Sequence, residues 1–447
     1  MQKIIILIAV FISIFPVTAR AGAPRNQGTA LAYGHIVGYP DEDGDSTDKS
    51  TALNLERCIE IALEKHPSIN ASAGAIKANE SKVGQAKANY YPQVNLSTSY
   101  QRIGPASSYN GSSDPYNQYS TSVDLGMTLF DFGKTSTQVK IQDLNVNASR
   151  ADYDDVRTKV ALNVKNAYYN LLQNQRNLDV AMDTVKQYQQ HLEQANAFFR
   201  IGTKPKFDVT KAEVDSGNAR LNVLKAENSV RIAMITLKDV MGIPESADFA
   251  IVDNLAFQKR DMQLNDALDR AYLNRPDLRS IIAKREATES SIGLAQKGYY
   301  PVLSGSAGYG YSGTEFPVDS GWNAGASLSF PLFTGLATKY QVDEARANLE
   351  VLKANEASIR QQIRLDVQQA YVNVQDAARQ ISMSEMTVLQ AKENYDLAEG
   401  RYRTGVGNPI EVADSIITLN NARANLNTAL YNYKIAQAAL DKATGAK

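Results

Sequence analysis

The chain has 447 residues, room for several ordinary cores, and its 43% apolar and 21% charged content excludes intrinsic disorder. Its 47 Lys+Arg nearly balance 48 Asp+Glu, so no surplus of charge points to nucleic acid or to an anionic membrane surface.

Lys3 precedes an unbroken apolar run at 4–15, followed by the small-x-small site Ala19-Arg20-Ala21. Residues 1–21 read as a secretory signal peptide, with the mature chain expected from Gly22. The run is too short for the hydrocarbon core, which needs about 20 helical residues. No later segment approaches a transmembrane helix, so entry into a membrane would require β-strands. Residues 22–50 read as a solvated linker. Within it, Asp41-Glu42-Asp43-Gly44-Asp45 resembles the start of a calcium loop, but Ser46 stands where glycine is needed and Ala52 where a bidentate glutamate is needed. The single Cys58 forms no intramolecular disulfide, lies far from the cleavage site where lipidation would occur, and is expected as a small buried residue on a helix face.

The rest of the chain is one unit written twice: a first repeat at 51–242, a linker at 243–262 and a second repeat at 263–447. A shift of 209 carries His66-Pro67 onto Arg275-Pro276 and Tyr90-Tyr91-Pro92 onto Tyr299-Tyr300-Pro301. A shift of 203 carries Phe130 onto Phe333, Gly202 onto Gly405 and Gly242 onto Gly445. The difference falls between Pro92 and Phe130, where a loop between strands would absorb it. Each repeat opens with a short helix ending before His66-Pro67 or Arg275-Pro276, then an Ala-rich helix stopped by the Tyr-Tyr-Pro. The period then becomes two: Val94, Leu96, Thr98 and Tyr100 alternate with polar neighbours, as do Thr121, Val123, Leu125 and Met127. The second repeat gives strands over 302–311 and 322–330, hence a hairpin per repeat and four strands per chain.

After each hairpin, residues 134–201 and 336–399 contain neither glycine nor proline, which only long helices achieve. Apolar residues at Ile363, Val367, Ala370, Val374, Ala377, Ile381, Val388, Ala391, Tyr395, Ala398 and Tyr402 hold a heptad register, and the 203-shift reproduces it from Val160 to Phe199. Such a register supercoils left-handedly against partners. A glycine turn closes each long helix, and returning helices are expected over 207–241 and 410–444. Four strands cannot close a barrel, and an open edge cannot face lipid, so several chains must pool their strands. Two chains would give a filled barrel of eight; three would give twelve strands and a lumen.

The signal peptide, the duplicated helix-hairpin-helix unit, the Tyr-Tyr-Pro strand starts, Phe130-Asp131-Phe132-Gly133 with Phe333-Thr334-Gly335-Leu336, and Arg401-Tyr402-Arg403-Thr404-Gly405 together resemble the TolC-type outer-membrane efflux protein family, from about Leu53 to Gly445. The resemblance implies a mainly α fold with a β-barrel portion: a homotrimer whose 12-stranded β-barrel lies in outer-membrane lipid and continues into a 12-helix coiled α-barrel across the periplasm. It implies a passive exit channel of a tripartite efflux or type I secretion system, exporting small molecules or polypeptides. The implied partners are a periplasmic adaptor protein and an inner-membrane transporter, with no nucleic acid and no cofactor. The adaptor would grip tip turns at Arg200, Ile201, Gly202 and Thr203 and at Arg403, Thr404, Gly405 and Val406. A pore gate would place Glu411 and Asp414 around the axis, favouring cations, with Asp208 accepting a hydrogen bond from Tyr402. The position resembling the family's gating arginine is Gly407, and Lys211 stands where Asp414 has its counterpart. Read without the resemblance, these acids are a solvated helix start.

Other motifs lead nowhere chemical. Gly308-Tyr309-Gly310-Tyr311-Ser312-Gly313 matches a dinucleotide fingerprint, but no helix is expected after it to hold a pyrophosphate. His35, His66 and His191 are too dispersed for a metal motif. No nucleophile accompanies a base, so neither catalytic residues nor an enzyme are expected. An exported structural coiled coil of the cell surface would explain the heptads and the signal peptide, though not the recurring hairpins.

Overall fold

The computed structural model describes residues 52–104, 115–245, 247, 249–259 and 262–446; the signal peptide and the whole 22–50 linker, with His35 and the calcium-like run, lie outside them. The same element order occurs twice. In the first half α1 (Leu55–Lys65), α2 (Pro67–Ala88), β1 (Gln93–Ile103), β2 (Tyr116–Phe130), α3 (Lys134–Arg200) and α4 (Lys206–Met241) follow one another. The second half repeats them as α5 (Leu264–Asn274), α6 (Pro276–Gln296), β3 (Val302–Gly313), β4 (Asp319–Ser329), α7 (Ala337–Arg403) and α8 (Pro409–Ala443). A single 3-10 turn at Lys297–Tyr299 precedes β3.

Local chemistry sets the boundaries. Asn54 caps α1 by accepting from the Arg57 backbone N–H at 2.9 Å. His66 ends α1 and caps α2, its Nδ1 accepting from Ser68 N, with Pro67 at the first helical position where its missing donor costs nothing. Ahead of α3, the Asp131 carboxylate accepts from Gly133 N, Thr135 N and Thr135 Oγ1 at 3.0, 2.7 and 2.5 Å. Burial alone would raise its pKa, but these bonds outweigh it and hold the group below the usual carboxylate range.

Both long helices have 67 residues, about 100 Å each at 1.5 Å per residue. The heptad positions are the buried ones through most of their length: Val160, Val164, Ala167 and Leu171 in α3, and Ile363, Val367, Ala370, Val374, Ala377 and Ile381 in α7. α7 runs through Gly400 to Arg403, as the heptad reaching Tyr402 requires, and one difference from the sequence reading appears at a helix end. In α3, Phe198 rather than Phe199 turns inward; Phe199 is exposed.

Two equivalent cores form where the short helices meet the long ones. Leu55, Cys58 and Ala62 of α1 pack with Val164 and Leu171 of α3 and Leu237 and Met241 of α4. Ala267 and Ala271 of α5 pack with Ile363 and Val367 of α7 and Tyr433 and Leu440 of α8. Cys58 is fully buried, and burial with the nearby Glu56 pushes its thiol up to about 11, as an inert apolar side chain requires. The segment between repeats ties both cores: Ile251 bridges Leu53, Tyr168 Oη donates to Val252 O at 2.6 Å, and Tyr433 Oη to Gln258 O at 2.8 Å. The elbow of the second repeat also holds an ion network: buried Arg275 donates to Asp277 at 2.6 Å and to Asp366 at 2.8 Å.

The hairpins do not stand apart. β2 pairs with β3, making one antiparallel sheet in the order β1-β2-β3-β4, with β1 and β4 as its free edges within the chain. The glycine-rich Gly308 to Gly313 run lies wholly within β3, so the dinucleotide reading fails on secondary structure.

Candidate functional site

The sheet register sorts its residues onto two chemically opposite faces. Val94 pairs with Leu125 and Leu96 with Val123; these pair onward with Ala307 and Tyr309, and Tyr309 with Trp322. One face therefore presents Val94, Leu96, Val123, Leu125, Tyr309 and Trp322, most of them exposed within the chain. The opposite face presents Asn95, Ser97, Ser99, Ser120, Ser122, Asp124, Ser306 and Asn323. On it Ser97 bonds Ser122 and Ser99 bonds Ser120, each at 2.9 Å, and Ser122 donates to Asp124 at 2.7 Å. Strands of 11–15 residues, at about 3.3 Å per residue and tilted as barrel strands are, suit the roughly 25 Å apolar band of an outer membrane. Among the described residues no helix is long and apolar enough to cross a membrane.

Where the sheet joins the helices, aromatic rings collect. Tyr90, Tyr91, Tyr299, Tyr300, Phe130 and Phe132 are all exposed rather than packed against helix ends. Phe132 stacks on Tyr300 with centroids 5.4 Å apart, and Phe130 meets Phe132 edge-on at 4.7 Å. Such a ring of amphipathic groups suits a headgroup layer.

At the far end of the long helices, both tip turns reverse direction at a glycine in the left-handed region, Gly202 (φ 78°) and Gly405 (φ 82°). The candidate docking residues Arg200, Ile201, Gly202, Thr203, Arg403, Thr404, Gly405 and Val406 are all exposed, Ile201 and Val406 most prominently at 70% and 77%. Glu411 and Asp414 lie one turn apart on the same exposed face of α8, with Arg401 Nε 3.9 Å from Glu411. Lys211, by contrast, is paired within α4 to Asp215 at 2.6 Å.

Behind these surfaces lies a compact cluster. Tyr402 is fully buried, its ring 4.9 Å from His191 and 5.5 Å from Phe198, and Asp208 is 6% exposed beside it. The expected Asp208–Tyr402 hydrogen bond is not formed: Tyr402 Oη has no hydrogen-bond partner. Burial, and then the charge of Asp208, raises the Tyr402 phenol, so the two groups sense each other electrostatically instead. His191, a residue the sequence offered only as a dispersed histidine, is buried here with Nδ1 unpartnered. Burial lowers its pKa against the upward pull of Asp215 and Asp208, while Lys211 also lowers it. Gly407 has room for no side chain at all: a Cβ would stand 2.7 Å from Tyr402 N and 2.9 Å from Arg401 C. A polar ladder continues the seam between the repeats, with Gln194 donating to Glu399 (3.1 Å), Asn420 to Gln187 (3.0 Å) and Asn427 to Asn177 (3.0 Å). Among the described residues no group of His, Cys, Asp or Glu could hold a metal ion.

Known proteins share this arrangement. The family model for outer membrane efflux proteins matches residues 58–243 and 267–446, one segment in each half of the chain. The outer membrane protein TolC of Escherichia coli is 26% identical over 416 residues, covering 89% of this chain and 83% of that protein. TtgC of Pseudomonas putida, a probable efflux pump outer membrane protein, is 25% identical over 397 residues, covering 84% and 78%. In fold, the chain is similar to the CmeC outer membrane channel of Campylobacter jejuni, with a TM-score of 0.78 at 17% identity over 95% of this chain and 94% of that one. A two-faced sheet continuous with duplicated long helices, matched in both halves by one family, makes this chain a member of the outer membrane efflux protein family, a channel protein of the outer membrane and not an enzyme.

Proposed function

We propose that three copies of this chain form a passive duct through which a tripartite efflux or type I secretion system exports small molecules or polypeptides. The observation that carries this is a matched pair of unfinished edges. Within the chain the sheet ends in β1 and β4, each with one edge free. In the helical layer α3 packs on α4 and α8 and α8 on α7, while nearer the sheet α3 packs on α2 and α6 and α6 on α7, which leaves α2 and α4 outermost on one side and α7 on the other. Of these, α4 and α7 carry exposed apolar residues: Phe207, Val214, Leu221 and Leu224 on α4, and Leu365, Val372, Met386 and Leu389 on α7. Joining unlike edges head to tail closes a ring, and three copies supply the twelve strands and twelve helices that leave a lumen. The apolar sheet face then meets lipid and the Ser-rich face lines the pore. A fibre-forming coiled coil would have no use for a sheet divided in this way.

The exposed tip turns with Ile201 and Val406 at their crests suit a periplasmic adaptor, which would couple the duct to an inner-membrane transporter that supplies the energy. Glu411 and Asp414, from three chains, would set six carboxylates around the axis and focus a negative potential there. Mass measurement of the detergent-extracted protein tests the assembly, which fails if the protein is a monomer that does not enter bilayers. Planar-bilayer recording of Glu411→Ala with Asp414→Ala tests the acidic ring. Cation preference should fall, and unchanged ion selectivity removes that assignment.

A further inference from the structure

Lys204 and Gly407 occupy equivalent positions of the two repeats under the 203-residue offset, and in the folded chain these two positions touch. Lys204 Nζ donates to Gly407 O at 3.3 Å and lies over the Tyr402 ring, 5.8 Å from its centroid. The contact joins the α3–α4 turn to the α7–α8 turn, so one ammonium group spans both tip hairpins of a chain. Its seat is built to shape. Gly407 N donates to Arg401 O at 2.9 Å, and the missing side chain of Gly407 is what lets that turn press against the end of α7 and present its carbonyl to the lysine. The stem of Lys204 is half-buried and Tyr402 is fully buried, so the contact is partly withdrawn from water, where a charged hydrogen bond and a cation–π contact are stronger than on an open surface.

We propose that Lys204 is a positioning residue of the tip, an intramolecular strut that holds the two hairpins in the closed arrangement and must release before they part. The inference rests on the reading of the tip as the gate. Opening that separates the α3–α4 turn from the α7–α8 turn must break the Lys204–Gly407 bond and lift the ammonium from the Tyr402 ring. Gly407 itself has no side chain that could take over.

The test uses the full-length channel in planar bilayers. Lys204→Met keeps the stem and removes the charge, and Lys204→Gln gives a neutral polar end; both should raise the open fraction about tenfold. Lys204→Arg should behave as the parent. Tyr402→Leu added to Lys204→Met should cost less than the two changes summed, since both remove one contact. Glu411→Cys, cross-linked between protomers with a short bis-maleimide, provides the independent control on the gate. If cross-linking closes the channel while Lys204→Met and Lys204→Gln remain at parental open fraction, the strut is overturned and the gate stands. If Lys204→Arg opens as Met does, the charge is not what acts and the strut is likewise overturned. If cross-linking leaves conductance unchanged, the tip is not the gate and the inference falls with that reading.

Discussion

Gly407→Ala is the smallest change that should disturb the tip, and its size can be worked from the backbone. The added methyl would sit 2.7 Å from Tyr402 N and 2.9 Å from both Arg401 C and Tyr402 Cα. Carbon contacts settle near 3.5 Å, so the turn must retreat by about 0.8 Å from atoms that cannot rotate away. Overpacking of this kind costs about 1–3 kcal/mol. The retreat also stretches the Gly407 N to Arg401 O bond, now 2.9 Å, and pulls the carbonyl from Lys204, a further loss of about 1 kcal/mol. A total of about 2–4 kcal/mol against the closed arrangement raises the open population roughly 30- to 1000-fold. Trypsin provides the assay, because cleavage after Arg401, in the last turn of α7, requires the tip to open locally and its rate then tracks the open population. Gly74→Ala on α2 is the control: nothing lies within 4 Å of its added methyl, and alanine should leave stability equal or slightly raised. If the Gly407→Ala channel is digested and conducts at the parental rate, the close backbone approach is not what holds the turn.

Lysine placed at Leu96, on the apolar face, should lower stability in lipid vesicles by about 2–4 kcal/mol, whereas lysine at Ser97, one residue along on the polar face, should fold normally; equal effects would refute the assignment of faces. Arg275→Ala strands Asp277 and Asp366 in the elbow of the second repeat and should cost about 3 kcal/mol in thermal unfolding, while His66→Ala at the equivalent place of the first repeat removes only a cap and should cost about 1 kcal/mol. Acid should loosen the tip through His191. Its folded pKa lies below the ordinary value, so its contribution to the closed seam is fully present above the usual histidine range and is lost as pH falls through the depressed value. Tip proteolysis should therefore rise in the parent as pH falls below the usual histidine range, and much less in His191→Gln, with equal rises counting against the histidine.

Much of this architecture is legible in the sequence because it is periodic. The heptads from Val160 and from Ile363 name the buried stripes of α3 and α7, and alternation at Val94 to Tyr100 names the two faces of β1. What escapes is whatever depends on which elements become neighbours. Nothing in either hairpin says that β2 will pair with β3. The heptad, carried one turn too far, puts Phe199 inside, although α3 is ending there and Phe198 is the ring that reaches Tyr402. At the tip, Asp208 and Tyr402 are brought together as the sequence suggests but without the hydrogen bond. His191, Lys204 and the reason for Gly407 were invisible as single residues. The signal that could have found the last two is the repeat itself, since the offset aligning Gly202 with Gly405 also aligns Lys204 with Gly407.

That alignment bears on why the two repeats differ where they do. Far from the tip each copy solves the same problem alone, and the solutions stay alike: both long helices have 67 residues, and each follows a residue in the left-handed region, Gly133 and Leu336. At the tip the equivalent positions Lys204 and Gly407 face each other, and like side chains there would compete for one space or repel across it. One lysine fits over one glycine; two lysines would bring two ammonium groups into the same half-buried site, and two glycines would leave the turns unjoined. Lys211 and Asp414, equivalent under the same offset, also differ: one copy keeps its charge paired within α4 and the other leaves its charge exposed on α8. If the tip is the gate proposed above, a duplicated chain gains from asymmetry at that end, because contacts between unlike partners can be made in one state and broken in another without displacing an identical contact in the twin repeat.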